Sequence, residues 1–224
     1  MSEVIRRNWR EIILSAFCRL PEQAPFYIVT VFVYTYGVTQ LKFERQFLVN
    51  AVTVAALVSF FMIPFFGYLS DRIGRKKLYL AGIVAMADWG FAYFGLYSTA
   101  IPIVVFLTIA VSLIPHDMQY GPQAALIAES FTGRLRYSGA SLGYQLASVI
   151  AGGPAPLIAV YLFAQTKNPF AISAYILVCC VLGFIATALL KDRSSFDHGR
   201  EYEGQEAALA AGAAPGAAAR PAMG

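Results

Sequence analysis

Residues 67–77 read Gly67-Tyr68-Leu69-Ser70-Asp71-Arg72-Ile73-Gly74-Arg75-Lys76-Lys77 and stand between two long apolar runs. The stretch gathers four cations, one carboxylate and two glycines where a membrane-spanning helix has to turn and re-enter the bilayer. Gly67 suits a close approach of helices at the membrane edge, and Gly74 suits a tight turn. Asp71 favours a neighbouring helix N-terminus and accepts hydrogen bonds from arginine. Arg72 and Arg75 are then placed to pair with carboxylates at the ends of adjacent spans, Glu129 first among them. A merely basic loop would need neither the glycines nor the aspartate in this order.

Composition agrees with a bilayer setting. Hydrophobic residues make up 58% of the 224-residue chain and charged residues 13%, about half the charged share of soluble domains. The mean hydropathy of +0.59 leaves too little polar surface to cover a soluble domain of this size. Crossing a ~30 Å hydrocarbon core takes roughly 20 helical residues, and six apolar runs are that long, near 12–37, 47–69, 78–98, 100–127, 138–164 and 170–190. Backbone groups in lipid must be paired within their own segment, which predicts helices and an all-α membrane fold. Residues 1–11 form a basic amphipathic N-terminus ahead of a six-helix bundle over 12–190. From about Phe196 the composition turns charged and then rich in Ala, Gly and Pro, so 191–224 is expected to be a disordered cytoplasmic tail.

The cations give an orientation. Arg6, Arg7, Arg10, Arg72, Arg75, Lys76, Lys77, Arg134, Arg136, Lys191, Arg193, Arg200 and Arg220 fall on one side, against Lys42, Arg45 and Lys167 on the other, thirteen to three. The positive-inside rule then puts both termini in the cytoplasm of a multi-pass inner-membrane protein. The start Met1-Ser2-Glu3 lacks the short apolar core of a cleavable leader. Cys18, Cys179 and Cys180 all fall in apolar runs and read as small core hydrophobes; no metal-ligand spacing, nucleotide loop or nucleophile arrangement is evident. Neither an enzyme, a cofactor nor a nucleic-acid partner is expected.

The turn at 67–77 closely resembles the signature loop of the major facilitator superfamily: glycine-x-leucine-small-aspartate-arginine-x-glycine-arginine, then two basic residues. Every fixed position is filled, and the loop follows the second span as it does in that superfamily. A second region comprises Tyr120-Gly121-Pro122-Gln123-Ala124-Ala125-Leu126-Ile127-Ala128-Glu129-Ser130-Phe131, the segment Arg134 to Ala147, and Gly152-Gly153-Pro154-Ala155-Pro156. It looks like the carboxyl-terminal half of the metabolite:proton symporters, which include shikimate, 2-oxoglutarate, citrate and proline or betaine transporters. The resemblance implies one half of a twelve-helix fold, in which two six-helix bundles hold substrate between them near the midplane. It also implies alternating access, with proton entry driving uptake of a small organic acid or zwitterion. A truncated or split half-transporter, inactive without a separate amino-terminal bundle, is the alternative; a homodimer is a further way to complete the cavity.

Charges in mid-membrane cost about 2.5–3.5 kcal/mol each on insertion scales, so each needs a partner or a task. At 1.5 Å per residue, Arg19 lies ~14 Å beyond Arg10, Asp88 ~16 Å beyond Lys77 and Asp117 ~18 Å before Glu129. In the family's architecture the first and fourth spans line the cavity and the third lies toward lipid. Asp88 is accordingly expected to be a structural group bonded within the bundle. Arg19 and Glu22, three apart on one helix face, either neutralise each other or serve substrate carboxylate and proton respectively, with Pro21 and Pro25 loosening the helix. His116, Gln119 and Tyr120 share one face of the fourth span, with Asp117 about 100° away. Histidine titrates near neutrality, so His116 joins Glu22 and Asp117 as a candidate for the coupled proton. Helix-tying hydrogen bonds are the competing role for His116 and Asp117. The expected substrate ligands are Arg19, Gln119, Tyr120 and Gln145. The expected conformational gate is Gly67, Asp71, Arg72, Gly74, Arg75, Glu129, Arg134 and Arg136.

Overall fold

A computed structural model describes residues 2–131 and 136–190, with side chains from 9 to 131 and from 139 to 190. The chain is helical throughout these residues. The helices are α1 (Ser2–Cys18), α2 (Leu20–Tyr27), α3 (Val33–Thr39), α4 (Arg45–Ile73), α5 (Arg75–Tyr97), α6 (Pro102–Val111), α7 (Ile114–Glu129), α8 (Arg136–Ala147), α9 (Ala155–Thr166) and α10 (Phe170–Leu189). Two short π-wound stretches, Ile28–Phe32 and Ser148–Gly152, join α2 to α3 and α8 toward α9. Five segments are long and apolar enough to cross a membrane: 45–73, 75–97, 102–129, 139–166 and 170–189. The run from Ser2 to Thr39 is a further helical column, and it starts well before the expected boundary at residue 12. The predicted tail and the turn holding Arg134 lie outside the described residues, as does the side chain of Arg136.

Proline and arginine break that first column where it matters. Pro21 has no N–H, and the Glu22 N–H bonds the Arg19 carbonyl at 3.2 Å instead of reaching back to Cys18. The Cys18 carbonyl accepts the Tyr79 hydroxyl of α5 at 2.8 Å. A buried carbonyl left open by the break is thereby satisfied from a neighbouring helix. The outward-turned Pro21 ring is received by Gly183 of α10, where a Cβ would lie 2.3 Å from Pro21 Cδ. Similar breaks fall at Ser112–Leu113, ahead of Pro115 at the start of α7, and at Pro154 ahead of α9.

Helices α5 and α7 pack closely along their lengths, as do α4 with α7, α5 with α10, and α1 with α8. Large apolar side chains such as Leu57, Phe60, Phe61, Val149, Leu157 and Val178 stay exposed on the outside. Such extensive apolar exposure suits a lipid surround rather than water. Inside lie Leu48, Tyr79, Ile83, Phe94, Tyr97, Ile109, Ile172 and Ile176.

Among the glycines, the tightest contact with another helix's backbone is between α4 and α7. A Cβ on Gly121 would sit 2.8 Å from the Gly67 nitrogen and 2.9 Å from the Ile63 carbonyl oxygen, whereas one on Gly67 would meet only the Gly121 oxygen at 3.9 Å. Gly121, more than Gly67, is thus the position that sets the helix separation. Because the obstruction is backbone, Gly121→Ala is expected to destabilise the bundle by about 1–3 kcal/mol through overpacking. Gly67→Ala should be close to neutral. Thermal unfolding of the two variants in detergent measures the contrast, and equal melting would refute it.

Candidate functional site

The break at Arg19 turns the first column toward α7 and buries a set of charges between helices. Arg19 and Glu22 are each 3% exposed, His116 5% and Asp117 0%. Arg19 donates from Nε to Gln123 Oε1 (3.1 Å), from Nη1 to the Tyr144 carbonyl (2.8 Å), and from Nη2 to Gln23 Oε1 (2.7 Å) and Glu22 Oε2 (3.2 Å). Its guanidinium carbon lies 3.4 Å from the centre of the Tyr144 ring. Four of the five guanidinium N–H groups are engaged, so a substrate carboxylate bound through two hydrogen bonds would have to displace one of these partners.

Gln123 is the hub of the arrangement. Its Oε1 accepts from Arg19 and from the Tyr144 hydroxyl (2.9 Å), while its Nε2 donates to Glu22 Oε2 (3.1 Å) and to the Tyr79 hydroxyl (3.2 Å). That set of partners fixes which end of the amide is oxygen. Glu22 Oε1 lies 3.2 Å from His116 Nε2, and His116 Nδ1 lies 2.9 Å from Asp117 Oδ1. Asp117 Oδ2 accepts the Ser59 hydroxyl of α4 at 2.8 Å. The imidazole is held between Phe26 (5.0 Å) and Tyr120 (5.3 Å, stacked within 16°). Tyr120, 40% exposed, is the most exposed side chain around this cluster.

A carboxylate only accepts, so each nitrogen–carboxylate contact needs its own proton, and a neutral imidazole carries one. Both contacts are hydrogen bonds only when Glu22, His116 and Asp117 together hold one proton more than two carboxylates and a neutral imidazole contain. With that proton Arg19, Glu22, His116 and Asp117 sum to zero charge; without it they carry one buried negative charge.

The remaining expected ligands lie elsewhere. Gln119 faces α5, donating to the Gly82 carbonyl (3.3 Å) and the Pro115 carbonyl (3.1 Å), because Gly82 leaves no side chain in its way. It is a helix tie and does not meet Arg19. Gln145 is exposed on α8, one residue beyond the tyrosine that does meet Arg19. Asp88 is exposed on the outer face of α5 and bonds to nothing among the described residues, which corrects its expected role inside the bundle. Gln23, Gln123, Ser59 and Tyr79 were not singled out by sequence. Gln23 stands four residues from Arg19 and Gln123 seven from His116, spacings that return to the same helix face.

At the end of α4, Gly74 takes φ 101°, a backbone angle that favours glycine, and turns the chain directly into α5. Arg75 donates from Nε and Nη2 to Asp71 Oδ1 (3.0 and 2.8 Å) and from Nη1 to Glu129 of α7. Arg72 does not join this set: its guanidinium lies 4.6 Å over the exposed Tyr68 ring. Lys76 instead reaches the end of α10, donating to the carbonyls of Ala188 (3.0 Å) and Leu190 (2.7 Å). Those carbonyls are among the ones that a helix C-terminus leaves without an intrahelical donor.

The described residues thus form a multi-pass helical bundle with a buried charge cluster and a charged interhelical turn. The sequence profile of the Major Facilitator Superfamily matches residues 12–221, and the chain belongs to that superfamily. Similar proteins include the shikimate transporter of Escherichia coli, 34% identical over 78% of this chain and 40% of its own length. The citrate-proton symporter of Klebsiella pneumoniae is 25% identical over 84% of this chain and 43% of its own. The proline/betaine transporter of Escherichia coli is 22% identical over 86% and 38%. The chain thus spans about two fifths of the length of these curated relatives. No solved structure matches it.

Proposed function

We propose that this chain is the carboxyl-terminal six-helix bundle of a proton-coupled symporter, with the column Ser2–Thr39 as its first span and both termini in the cytoplasm. The observation that carries the reading is the placement of the buried His116 ring between the carboxyl groups of Glu22 (3.2 Å) and Asp117 (2.9 Å), with Arg19 on the far side of Glu22. Buried charge is costly, so proton release is tied to rearrangement of the site or arrival of a compensating group. In this reading Arg19 exchanges Glu22 or Gln23 for the carboxylate of a small organic acid or zwitterion, entering past Tyr120. Relatives named for shikimate, citrate and proline or betaine support that substrate class. Asp71, Arg75 and Glu129 form the cytoplasmic latch; Arg134 and Arg136 are candidates to join it.

In this reading an amino-terminal six-helix bundle completes the cavity, with a homodimer as the alternative. Proteoliposomes holding the chain together with an amino-terminal six-helix bundle should accumulate one of shikimate, citrate, proline or betaine under an inwardly directed proton gradient. The chain alone should not. Accumulation by the chain alone would point to the homodimer, and none in either preparation would overturn the symporter reading.

A further inference from the structure

Asp88 is the one carboxylate among the described residues that stands exposed in the middle of a spanning helix. It lies thirteen residues after Arg75 and nine before Tyr97, roughly 20 and 14 Å from the two ends of α5. Around it the outer face of α5 is apolar, with Val84 (51% exposed), Phe91 (39%) and Leu96 (40%) alongside. The opposite face of the same helix is closed: Gly82 meets Gln119 of α7, and Gly90 meets Ile176 of α10. The carboxyl therefore points away from the charge cluster and has no hydrogen-bonding partner among the described residues.

Hydrocarbon offers this group no hydrogen-bonding partner at that depth, so a second helix that meets it there relieves a cost. We propose that the outer face of α5 is a contact surface for a second copy of this chain, with the two Asp88 carboxyls hydrogen-bonded across a two-fold axis along the membrane normal. A carboxylic acid both donates and accepts, so a pair holding at least one proton is self-complementary. Two copies inserted in the same orientation bring Asp88 to the same depth without further adjustment, as an isologous contact requires. A lysine or arginine from an unrelated helix would have to be supplied at mid-membrane at its own cost. The neighbours on this face allow a close approach: Ala81, Ala85 and Ala92 are small, and a Cβ on Gly95 would meet nothing within 4 Å. The contact leaves Tyr120 and the charge cluster uncovered and is independent of the transport reading.

The test uses the full-length chain in lipid nanodiscs and dilute liposomes, with cysteine crosslinking and subunit counting by photobleaching. Gly95→Cys on the proposed face should crosslink to dimer, while Leu157→Cys, 73% exposed on α9, should not. Adding Asp88→Leu to Gly95→Cys should lower the dimer fraction in dilute lipid by about tenfold, whereas Asp88→Asn, which still donates and accepts, should largely keep it. Gel filtration of each variant confirms that the bundle is intact; Asp88 makes no internal contact, so both should elute as the parent does. Monomer with Gly95→Cys, crosslinking through Leu157→Cys instead, or a dimer fraction indifferent to Asp88→Leu would each overturn the proposal.

Discussion

Arg19→Leu is expected to unfold the bundle or prevent its assembly, by about 3–5 kcal/mol, because it strips the counter-charge from a carboxylate that is 3% exposed. The loss spreads further than one ion pair. Gln123 Oε1, Gln23 Oε1 and the Tyr144 carbonyl lose a donor at the same time. Monodispersity and thermal unfolding in detergent report the effect. Arg19→Leu combined with Glu22→Gln should recover much of the stability, since the buried charge and its partner leave together, while transport stays absent. A single variant as stable as the parent would show that Glu22 is not charged in the folded protein, and the zero-charge assembly of Arg19, Glu22, His116 and Asp117 would fail with it.

Asp117→Asn should separate transport from the proton gradient in the assembled transporter. The amide can turn its Nδ2–H2 toward His116 Nδ1, which then accepts, while its oxygen takes the Ser59 hydroxyl; the ring needs only the Nε2 proton that faces Glu22. For one proton per substrate, a gradient of one pH unit sustains about a tenfold accumulation, since each unit is worth about 1.36 kcal/mol. The variant is expected to fall to equilibration, with inside and outside concentrations equal, while substrate exchange continues. Counterflow and gradient-driven uptake measured on the same vesicles distinguish the two. Full gradient-driven accumulation by Asp117→Asn would remove Asp117 from the proton path.

Much of this arrangement is legible in sequence, and the limits have physical reasons. Long apolar runs and the 67–77 turn expose the helical membrane fold because lipid allows so few backbone solutions. Depth along a helix likewise finds Arg19, Glu22, His116 and Asp117, since counting residues measures distance from the membrane edge. Direction around a helix is harder. Gln119 shares a nominal face with His116 yet turns to Gly82, because a glycine on the neighbouring helix opens space there. Adjacent residues His116 and Asp117 nonetheless meet through side-chain rotation. Gln123 and Ser59 escape notice because an amide or hydroxyl in an apolar run carries little cost that demands explanation. Depth alone suggests a bonded place for Asp88 inside the bundle, and only packing shows which side of α5 it occupies.

Ser59 and Asp71 are twelve residues apart on α4, as Asp117 and Glu129 are on α7. The two helices are fastened at both ends of that interval, by the Ser59 hydroxyl on Asp117 and by Arg75 bridging Asp71 and Glu129, with Gly67 against Gly121 between. Equal spacing makes these fastenings the rungs of a ladder some 18 Å long, at 1.5 Å per residue. A ladder resists shear: neither rail slides along the other unless every rung opens at once. Compliance is left to the first column, broken at Arg19 and π-wound over Ile28–Phe32, and to the π-wound stretch Ser148–Gly152 packed against α2. The bundle thus divides into a stiff blade and a supple edge, and His116 with its two carboxyl partners lies where the two meet.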